Sequence, residues 1–263
     1  MVDAIVLAGS SNDGPLKDCS SARYEALIPV GSKIMVEYVV EALLQARGIR
    51  RVLVVGPAAD LTPVLAGERV SVVESAGGII ENIEVGLKHL AGERRVLLVT
   101  SDIPMLTPQA VENFLELCGD MSGDLYYPII SKEEVETKYP STRRTYVTLK
   151  EGVFTGGNMF LLNPDIYHKC LENGQKIISL RKKPLSLCRL LGVGFVIKFL
   201  LRSLTLAEAE RKVCQLLGMI KGVVVVSKYP EVGVDIDKPK DLELACKAMG
   251  VPLRPENIAE RTC

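Results

Sequence analysis

Short runs of aliphatic and β-branched residues alternate with longer amphipathic stretches along most of this 263-residue chain. The first run, Asp3 to Ala8, is almost continuously apolar, which is typical of a strand buried on both faces of a parallel sheet. Apolar residues recur at helical spacing from Ile34 to Ala46, and Gly48 marks the end of that helix. Because strands that alternate with helices form βαβ units, the pattern predicts an α/β fold with a mostly parallel sheet.

The same reasoning divides the rest of the chain into strands and helices. Further strands are predicted at Arg51 to Val55, Val70 to Val73, Arg95 to Thr100, Leu125 to Ile130, Phe160 to Leu162 and Gly222 to Ser227. Further helices are predicted at Ile80 to Leu90, Thr107 to Leu117, Leu204 to Leu217 and Leu242 to Met249. The run that ends at Thr100 is the most apolar, so we expect it at the centre of the sheet. We expect one domain over residues 1–263 with a helical elaboration at about 176–217, because strand-like sequence resumes at Gly222.

Composition and charge argue against several classes of protein. Lys and Arg (32) balance Asp and Glu (32), so the chain has no basic excess that would neutralise nucleic-acid phosphates. The seven cysteines contain no C-x-x-C pair, and we expect reduced thiols in a cytoplasmic protein. The N-terminus lacks the basic region of a signal peptide. The longest apolar stretch, Leu190 to Leu201, contains Lys198 and falls short of the ~20 residues that a membrane-spanning helix needs.

In open parallel sheets, ligands bind in the loops at the carboxyl ends of the strands. The loop after the first strand, from Ala8 to Gly14, carries small residues whose backbone N–H groups can approach a base or a phosphate closely. A plain tight turn is the alternative interpretation of this loop. The chain lacks the G-x-G-x-x-G pattern of dinucleotide-binding folds and the G-x-x-x-x-G-K-[ST] pattern of P-loop NTPases, so neither of those sites is predicted.

Acidic residues follow two of the predicted strands. Asp102 comes directly after the central strand, where a carboxylate is well placed to bind Mg²⁺, and an Asx-turn residue is the alternative. Asp235 and Asp237 lie between the strand that ends at Ser227 and the last helix, so they could supply a second carboxylate to the same ion. Alternatively, Asp237 caps that helix, with Pro239 in its first turn.

Five motifs occur in an order that resembles a known group of enzymes. They are Ile5-Val6-Leu7-Ala8-Gly9, Ala26 to Tyr38 (ALIPVGSKIMVEY), Ser101-Asp102-Ile103-Pro104-Met105-Leu106, Gly156-Gly157-Asn158, and Val234 to Leu242 (VDIDKPKDL). With these motifs the chain resembles the nucleotidyltransferases with a glycosyltransferase-A-like fold. That group includes the molybdenum-cofactor guanylyltransferase-like NTP transferases, the sugar-phosphate nucleotidylyltransferases and the cytidylyltransferases. The resemblance covers nearly the whole chain. It implies an α/β fold of the nucleotide-diphospho-sugar transferase type, a three-layer α/β/α sandwich with a mixed, mostly parallel central sheet.

The resemblance also implies which residues form the active site. The residues that it assigns to nucleotide binding are Leu7, Ala8, Gly9, Ser10, Gly77, Gly78, Asn82 and Asp102. It implies Mg²⁺ as the cofactor, bound by Asp102 together with Asp237, Asp235 or both. It further implies that Gly157 and Asn158 face the acceptor. Lys33 matches the lysine of the group's G-x-K-P segment, although Ile34 replaces the proline, and we expect Lys33 and Asp102 to be catalytic.

One position departs from the pattern of the group. The residue before Ala-Leu-x-Pro is usually a lysine that reaches the triphosphate, but here it is Glu25, which would repel a polyphosphate. Lys17 or Arg23 in the same loop could supply the positive charge instead; the alternative is that both are solvated surface residues. Arg143 and Arg144 could likewise bind an anionic acceptor, with the same alternative.

We therefore predict a Mg²⁺-dependent nucleotidyltransferase that transfers NMP from a nucleoside triphosphate to a phosphorylated small-molecule acceptor, such as a sugar phosphate, with release of pyrophosphate. Two alternatives stay open. One is a non-catalytic nucleotide-binding or regulatory relative, given Glu25; the other is a glycosyltransferase that uses nucleotide sugars, given the D-x-D of Asp235 and Asp237. The basic segment from Lys176 to Leu201 could cover the acceptor site, pair with a second subunit in a homodimer, or lie on a membrane surface. Core helices with a solvated basic face need none of these roles.

Overall fold

The fold is described from a computed structural model of the chain, for residues 1–140, 142–167, 170–171, 173 and 190–253. Within these residues the strands are β1 (Val2–Leu7), β2 (Pro29–Val30), β3 (Lys33–Ile34), β4 (Ile49–Gly56), β5 (Val70–Glu74), β6 (Val96–Thr100), β7 (Leu125–Ser131), β8 (Val147–Leu149), β9 (Gly152–Gly156), β10 (Met159–Leu162) and β11 (Gly222–Ser227). The α-helices are α1 (Met35–Gln45), α2 (Ala58–Leu65), α3 (Ile79–His89), α4 (Pro108–Leu117), α5 (Lys132–Lys138), α6 (Val193–Leu200), α7 (Leu206–Leu217) and α8 (Pro239–Met249).

Nine strands form one mixed sheet in the order β5-β4-β1-β6-β10-β7-β9-β8, and β11 pairs with β7. The pairs β5-β4, β4-β1, β1-β6 and β7-β11 are parallel, whereas β9 and β10 run against their neighbours. Leu7 at the end of β1 is in register with Val55 of β4 and Thr100 of β6. The carboxyl ends of these three strands therefore meet at one edge, and β6 is central, as its apolar sequence predicts.

Helices cover both faces of the sheet, which confirms the predicted three-layer sandwich. One face packs against α1, α4 and α8, whose buried side chains include Met35, Phe114 and Leu242. The other face packs against α3 and α7, around buried Ile5 and Met219. The helices α1, α4 and α8 each bury an apolar stripe, because residues three and four positions apart share a face.

Most predicted elements are present within one to three residues of their expected bounds. Thr107 caps α4 as expected, since its side chain accepts the N–H of Ala110. The short helices α2 and α5 and the β8-β9 hairpin were not predicted. In α2, Pro63 stands inside the helix, and α5 buries Val135 alone, so neither has an apolar period that could be recognised.

The predicted helical elaboration lies partly outside the described residues, namely at 176–189. Its described part contains α6 and α7, and Thr205 caps α7 by accepting the N–H of Glu208. Over the described ranges, no helix combines the length and the apolar character needed to cross a membrane.

Candidate active site

Three carboxylates from distant parts of the chain converge at the carboxyl edge of the sheet. Asp102 follows β6, whereas Asp235 and Asp237 lie between β11 and α8, and one oxygen of each lies within 4.8 Å of the other two. The two segments are joined by a backbone hydrogen bond of 2.9 Å, in which the N–H of Ile236 donates to the carbonyl oxygen of Asp102. We refer to Asp102, Asp235 and Asp237 as the acidic cluster.

The cluster holds more negative charge than its neighbours neutralise. Burial raises the pKa of Asp102, and the nearby charge of Asp237 raises it further, although the hydroxyl of Thr100 donates a hydrogen bond to its carboxylate. Arg144 forms an ion pair with Asp235. Within the part of the chain that the structure describes, neither Asp102 nor Asp237 forms such an ion pair, so the two suit Mg²⁺, which prefers oxygen ligands and uses one or two protein carboxylates.

Asp237 does not cap the last helix, so that alternative interpretation is wrong. The N-cap of α8 is Lys238, which makes no side-chain capping hydrogen bond. The backbone N–H of Asp237 donates instead to the carboxylate of Asp241 at 3.3 Å, which leaves the Asp237 carboxylate exposed beside Asp102. Pro239 does occupy the first turn, as expected.

The loop after β1 packs directly against the start of α3. A β carbon added to Gly9 would lie 2.7 Å from Nδ2 of Asn82 and 2.8 Å from Cβ of Ser75, so only glycine fits there. Ala8 is buried, and its N–H donates to the carbonyl of Val55 at 2.8 Å. The structure thus places Gly9 and Asn82 side by side, although they are 73 positions apart in the sequence.

Asn82 shapes the turn that leads into α3. Its side chain is buried, accepts the N–H of Ala76 at 2.8 Å and donates to the carbonyl of Gly77 at 3.4 Å. Gly77 has a φ of +116°, which favours glycine, and Gly78 is the N-cap of α3. Both glycines are exposed, so their backbone is accessible to a ligand.

The long loop of residues 9–25 is tied at its base and brings Glu25 to the acidic cluster. Asn12 closes the loop, because its amide donates to the carbonyls of Ser20 and Ala22, each at 2.9 Å. Burial raises the pKa of Glu25, and the charges of Asp102 and Asp237 raise it further, against a hydrogen bond from Ser10. The unusual glutamate therefore faces the candidate metal site.

The three cations predicted to assist catalysis occupy different environments. Lys17 and Arg23 are exposed on the long loop, and the guanidinium of Arg23 lies 5.9 Å from the ring centroid of Tyr24. The ammonium of Lys33 forms an ion pair with Glu41 of α1 at 2.5 Å. The hydrogen bond to Glu41 raises the pKa of Lys33. None of these observations tests a role in catalysis, which stays a prediction.

The loop between β9 and β10 contacts the two segments that carry the acidic cluster. Gly157 is packed so closely that an added β carbon would lie 2.8 Å from Pro128 and from Val232. Asn158 donates its N–H to the carbonyl of Val232 at 2.8 Å, and its own carbonyl accepts the N–H of Thr100 at 3.1 Å. Gly157 and Asn158 therefore lie between the segment before Asp102 and the segment before Asp235.

A loop before β8 brings Arg144 to the acidic cluster and contains further polar groups without a partner among the described residues. The side chain of Arg144 is largely buried, forms an ion pair with the carboxylate of Asp235 and donates a hydrogen bond to the backbone carbonyl of Asp235. Arg143 is exposed. Nε of Arg144 and the hydroxyls of Thr142 and Tyr146 are buried and have no hydrogen-bond partner among the described residues. Thr142 and Tyr146 were not predicted as site residues, because an isolated hydroxyl belongs to no recognisable motif. The only signal in the sequence is that each lies two positions from Arg144, which would place the three side chains on one side of an extended segment.

A family model and several solved structures show which proteins this chain is similar to. A family model described as "MobA-like NTP transferase domain" matches residues 4–177. A solved structure of a hypothetical transferase from Thermus thermophilus is 41% identical, has a TM-score of 0.80, and is aligned over 92% of this chain and 99% of that chain. The search of curated proteins found no match.

Two more distant structures share the fold. One is a CMP:2-keto-3-deoxy-manno-octonic acid synthetase complexed with CTP, at 16% identity and a TM-score of 0.59, covering 95% of this chain and 99% of that chain. The other is a 4-diphosphocytidyl-2C-methyl-D-erythritol synthase from Anaerococcus prevotii, at 13% identity and a TM-score of 0.58, covering 95% and 96%. The fold class and the family resemblance expected from the sequence are both confirmed.

Proposed function

The chain belongs to the MobA-like NTP transferase family, and from this premise we propose that it is a cytoplasmic, Mg²⁺-dependent nucleotidyltransferase that couples NMP to a phosphorylated acceptor. The observation that carries the proposal is the acidic cluster beside the Gly9 loop. The carboxylates of two segments that are distant in sequence lie close together, next to a loop of small residues. Carboxylates suit a metal ion and a loop of small residues suits phosphates, so their meeting supports a ligand that contains both.

The three carboxylates would have different roles at the metal site. Asp102 and Asp237 would hold Mg²⁺, while Asp235 is positioned by Arg144 and borders the ion. When bound, the ion supplies positive charge that attracts phosphate oxygens and offsets the repulsion among the carboxylates. Thr100 orients the Asp102 carboxylate by its hydrogen bond.

The nucleotide would lie over the end of β1. Leu7, Ala8, Gly9 and Ser10 would border the ligand, and the absence of a side chain at Gly9 lets Asn82 and Ser75 pack against this loop. Asn82 keeps the turn at Gly77 and Gly78 in place, so that this turn can border the base. Lys17 and Arg23 are the exposed cations of the long loop that we assign to the leaving phosphates, and Lys33 would need to leave Glu41 to join them.

The acceptor would lie on the opposite side of the cluster. Gly157 and Asn158 form its border, and the loop of residues 142–146 supplies donors to its phosphate. Nε of Arg144 and the hydroxyl of Tyr146 are buried without partners among the described residues, which suits an anionic ligand that satisfies them. Arg143, at the exposed edge of this loop, would attract the acceptor from solution.

The reaction then needs positioning and charge neutralisation, and no nucleophilic side chain. An oxygen of the acceptor phosphate attacks the α-phosphorus of the triphosphate. The bond from that phosphorus to the oxygen that bridges to the β-phosphorus breaks, and pyrophosphate leaves with the electron pair. The side chains of the chain hold the two phosphates in line and exclude water from the α-phosphorus.

Glu25 favours one competing function, that of a relative that binds nucleotide without turnover. A carboxylate faces the acidic cluster at the position where the group usually has a lysine. It lowers the attraction for a triphosphate, and with it the stabilisation of the charge that develops on the leaving group. Tight triphosphate binding without pyrophosphate release from any acceptor would support this second function.

The test of the proposal is a panel of the four nucleoside triphosphates with and without Mg²⁺. We expect one triphosphate to raise the melting temperature in the presence of Mg²⁺, because a ligand that binds the folded state stabilises it. With phosphorylated acceptors we expect release of pyrophosphate. Asp102→Asn should abolish the Mg²⁺-dependent shift and lower pyrophosphate release by roughly 100-fold or more, the scale of losing an electrostatic contact to the transition state.

The control for this substitution is Asp60→Asn, an equal change at an exposed position of α2. It should leave both readouts within twofold of the unmodified protein. A Mg²⁺-dependent shift and full pyrophosphate release in Asp102→Asn would contradict the assignment of the metal site.

A further inference from the structure

Glu231 carries a carboxylate that is almost completely buried, close in sequence to the acidic cluster. The residue is 1% exposed and lies in the short turn Pro230–Gly233, four positions before Asp235. Among the acidic residues that the structure describes, only Glu231 and Asp3 are buried. Because an ionised carboxylate is costly to remove from water, it needs partners that donate hydrogen bonds to it.

Two side chains donate hydrogen bonds to Glu231, one to each carboxylate oxygen. The hydroxyl of Thr107 donates to Oε1 at 3.0 Å, and the ammonium of Lys138 donates to Oε2 at 2.8 Å. The same hydroxyl of Thr107 accepts the N–H of Ala110 at the start of α4. The buried carboxylate is therefore held by one charged donor and one neutral donor, each from a different helix end.

These contacts join three segments of the chain. Thr107 stands five positions after Asp102, at the end of the loop between β6 and α4. Lys138 is the last residue of α5, after which the chain leads into the loop of residues 142–146. Glu231 lies on the segment between β11 and α8. Each of the three segments supplies at least one side chain at or beside the acidic cluster.

Backbone hydrogen bonds hold other points of the same segments. The N–H of Ile236 donates to the carbonyl of Asp102, and the N–H of Asn158 donates to the carbonyl of Val232. Neither bond includes α5 or the loop that follows it. Glu231 adds a link that connects α5 to the loop after β6, and it does so through side chains that can be substituted without changing the backbone.

We propose that Glu231 is a positioning residue, which holds the segments of Asp102 and Asp235 at the spacing that a divalent cation needs. Glu231 is not one of the three clustered carboxylates, so it acts through Thr107 and Lys138. Mg²⁺ demands near-ideal octahedral geometry with ligand distances of about 2.1 Å, so a small shift of one segment takes a carboxylate out of reach. This inference rests on the metal site of the proposed function.

Glu231→Gln and Asp3→Asn form a matched pair, because each converts a buried carboxylate into an amide of similar shape. An amide has only one acceptor oxygen and donates through its NH₂ group, so the substituted side chain cannot accept from both Thr107 and Lys138. We expect Glu231→Gln to weaken binding of Mn²⁺ alone by about 10- to 100-fold, the range for residues that orient metal ligands. Asp3→Asn, at the opposite edge of the sheet, should leave the Mn²⁺ affinity unchanged.

Electron paramagnetic resonance of free Mn²⁺ measures this affinity, since Mn²⁺ suits the same oxygen ligands as Mg²⁺. Urea unfolding of each variant establishes that it is folded under the conditions of the titration. A purely structural role of Glu231 would lower the free energy of unfolding but leave the Mn²⁺ affinity of the folded protein unchanged. That result in Glu231→Gln would overturn the proposal.

Lys138 provides a second test at a half-exposed position, where a substitution disturbs folding less. Lys138→Met removes the charged partner of Glu231 and should weaken Mn²⁺ binding by about threefold or more, since Thr107 still holds the carboxylate. Lys138→Arg keeps a charged donor and should restore most of the affinity. If Glu231→Gln does not fold, this pair decides, and an unchanged affinity in Lys138→Met would overturn the proposal.

The two proposals fail in different ways. Mn²⁺ binding that Asp102→Asn abolishes and Glu231→Gln leaves unchanged supports the metal site and overturns the role of Glu231. Mn²⁺ binding that Glu231→Gln weakens, without pyrophosphate release from any acceptor, supports the role of Glu231 and contradicts the transferase proposal. Absence of Mn²⁺ binding by the unmodified protein, with or without a nucleoside triphosphate, would overturn both.

Discussion

Glu25 lies beside the acidic cluster, at a position where the resemblance to nucleotidyltransferases predicts a lysine. Its backbone N–H donates to the carbonyl of Ser10, so the long loop holds it firmly beside the Gly9 turn. Its carboxylate is half-buried and faces Asp102 and Asp237. Because its charge has the same sign as that of a triphosphate, we expect it to weaken binding of the nucleotide, more so when Mg²⁺ is absent.

We predict that Glu25→Lys increases triphosphate affinity in the absence of Mg²⁺ by about tenfold or more, since an attraction then replaces a repulsion at close range. Isothermal titration calorimetry with the triphosphate that gives the largest thermal shift measures this change. Glu25→Gln removes the charge without adding one and should give a smaller increase. A decrease in both variants would mean that Glu25 is itself a ligand of the metal ion.

At the scale of the elements, a buried carboxylate and two half-exposed arginines join the amino ends of neighbouring strands, at the edge of the sheet opposite the proposed active site. Asp3 of β1 is fully buried, and its carboxylate accepts hydrogen bonds from Nε of Arg50 at 2.7 Å and Nε of Arg51 at 2.6 Å, both in β4. Arg50 also pairs with Glu93, which lies ahead of β6. Burial alone would raise the pKa of Asp3, but the two arginines outweigh it and lower that pKa.

We predict that Asp3→Asn lowers the free energy of unfolding at pH 7 by about 1–3 kcal/mol, the range for losing hydrogen bonds to a charged group. The lowered pKa means that the pair stabilises the fold above the unfolded-state pKa of about 3.9 and that this contribution is lost as pH falls through the folded-state pKa. The difference between the two proteins should therefore shrink below about pH 4.

Urea unfolding at pH 7 and at a series of pH values down to 3 measures this difference. Asp60→Asn, at an exposed position, is the matched control and should differ from the unmodified protein by less than about 0.5 kcal/mol. Since Asp3 lies at the far edge of the sheet, triphosphate binding by Asp3→Asn should be unchanged at 25 °C. A difference in stability that is independent of pH would mean that the ion pair is not its source.

The whole molecule brings together parts of the active site that are far apart in sequence. The Gly9 loop, Asp102 and the segment that ends at Asp237 meet because the carboxyl ends of β1 and β6 are in register and because Ile236 bonds to Asp102. A ligand that contacts all three segments would couple their local opening. Local opening of any one segment would then require the ligand to dissociate.

We predict that binding of Mg²⁺ and the nucleotide slows amide hydrogen exchange at residues 8–12, 101–104 and 234–238 together. Hydrogen-exchange mass spectrometry on the full chain, with and without ligand, tests this. In Asp102→Asn the protection of residues 234–238 should be lost, while residues 8–12 keep part of theirs through contact with the nucleotide. Protection confined to residues 8–12 would show that the acidic cluster does not take part in binding.

Part of the site could be predicted from the sequence because its motifs follow strands directly. Asp102 comes at the end of the most apolar run, and strand ends of a parallel sheet meet at one edge, so its location follows from the pattern alone. For Asp235 and Asp237 the only sequence signal was their position between the last strand and the last helix, which led us to expect their carboxylates beside Asp102. Their distance of less than 5 Å from Asp102 is a result of the structure.

The sequence by itself determined the α/β class, the central position of β6 and the helices with a clear apolar stripe, because period and hydrophobicity are properties of consecutive residues. Only the tertiary structure decided which distant side chains meet. It paired Lys33 with Glu41, set Arg144 rather than Arg143 against Asp235 and turned Glu25 toward the acidic cluster. Such contacts depend on how elements pack across the sheet, and no local pattern in the chain encodes that packing.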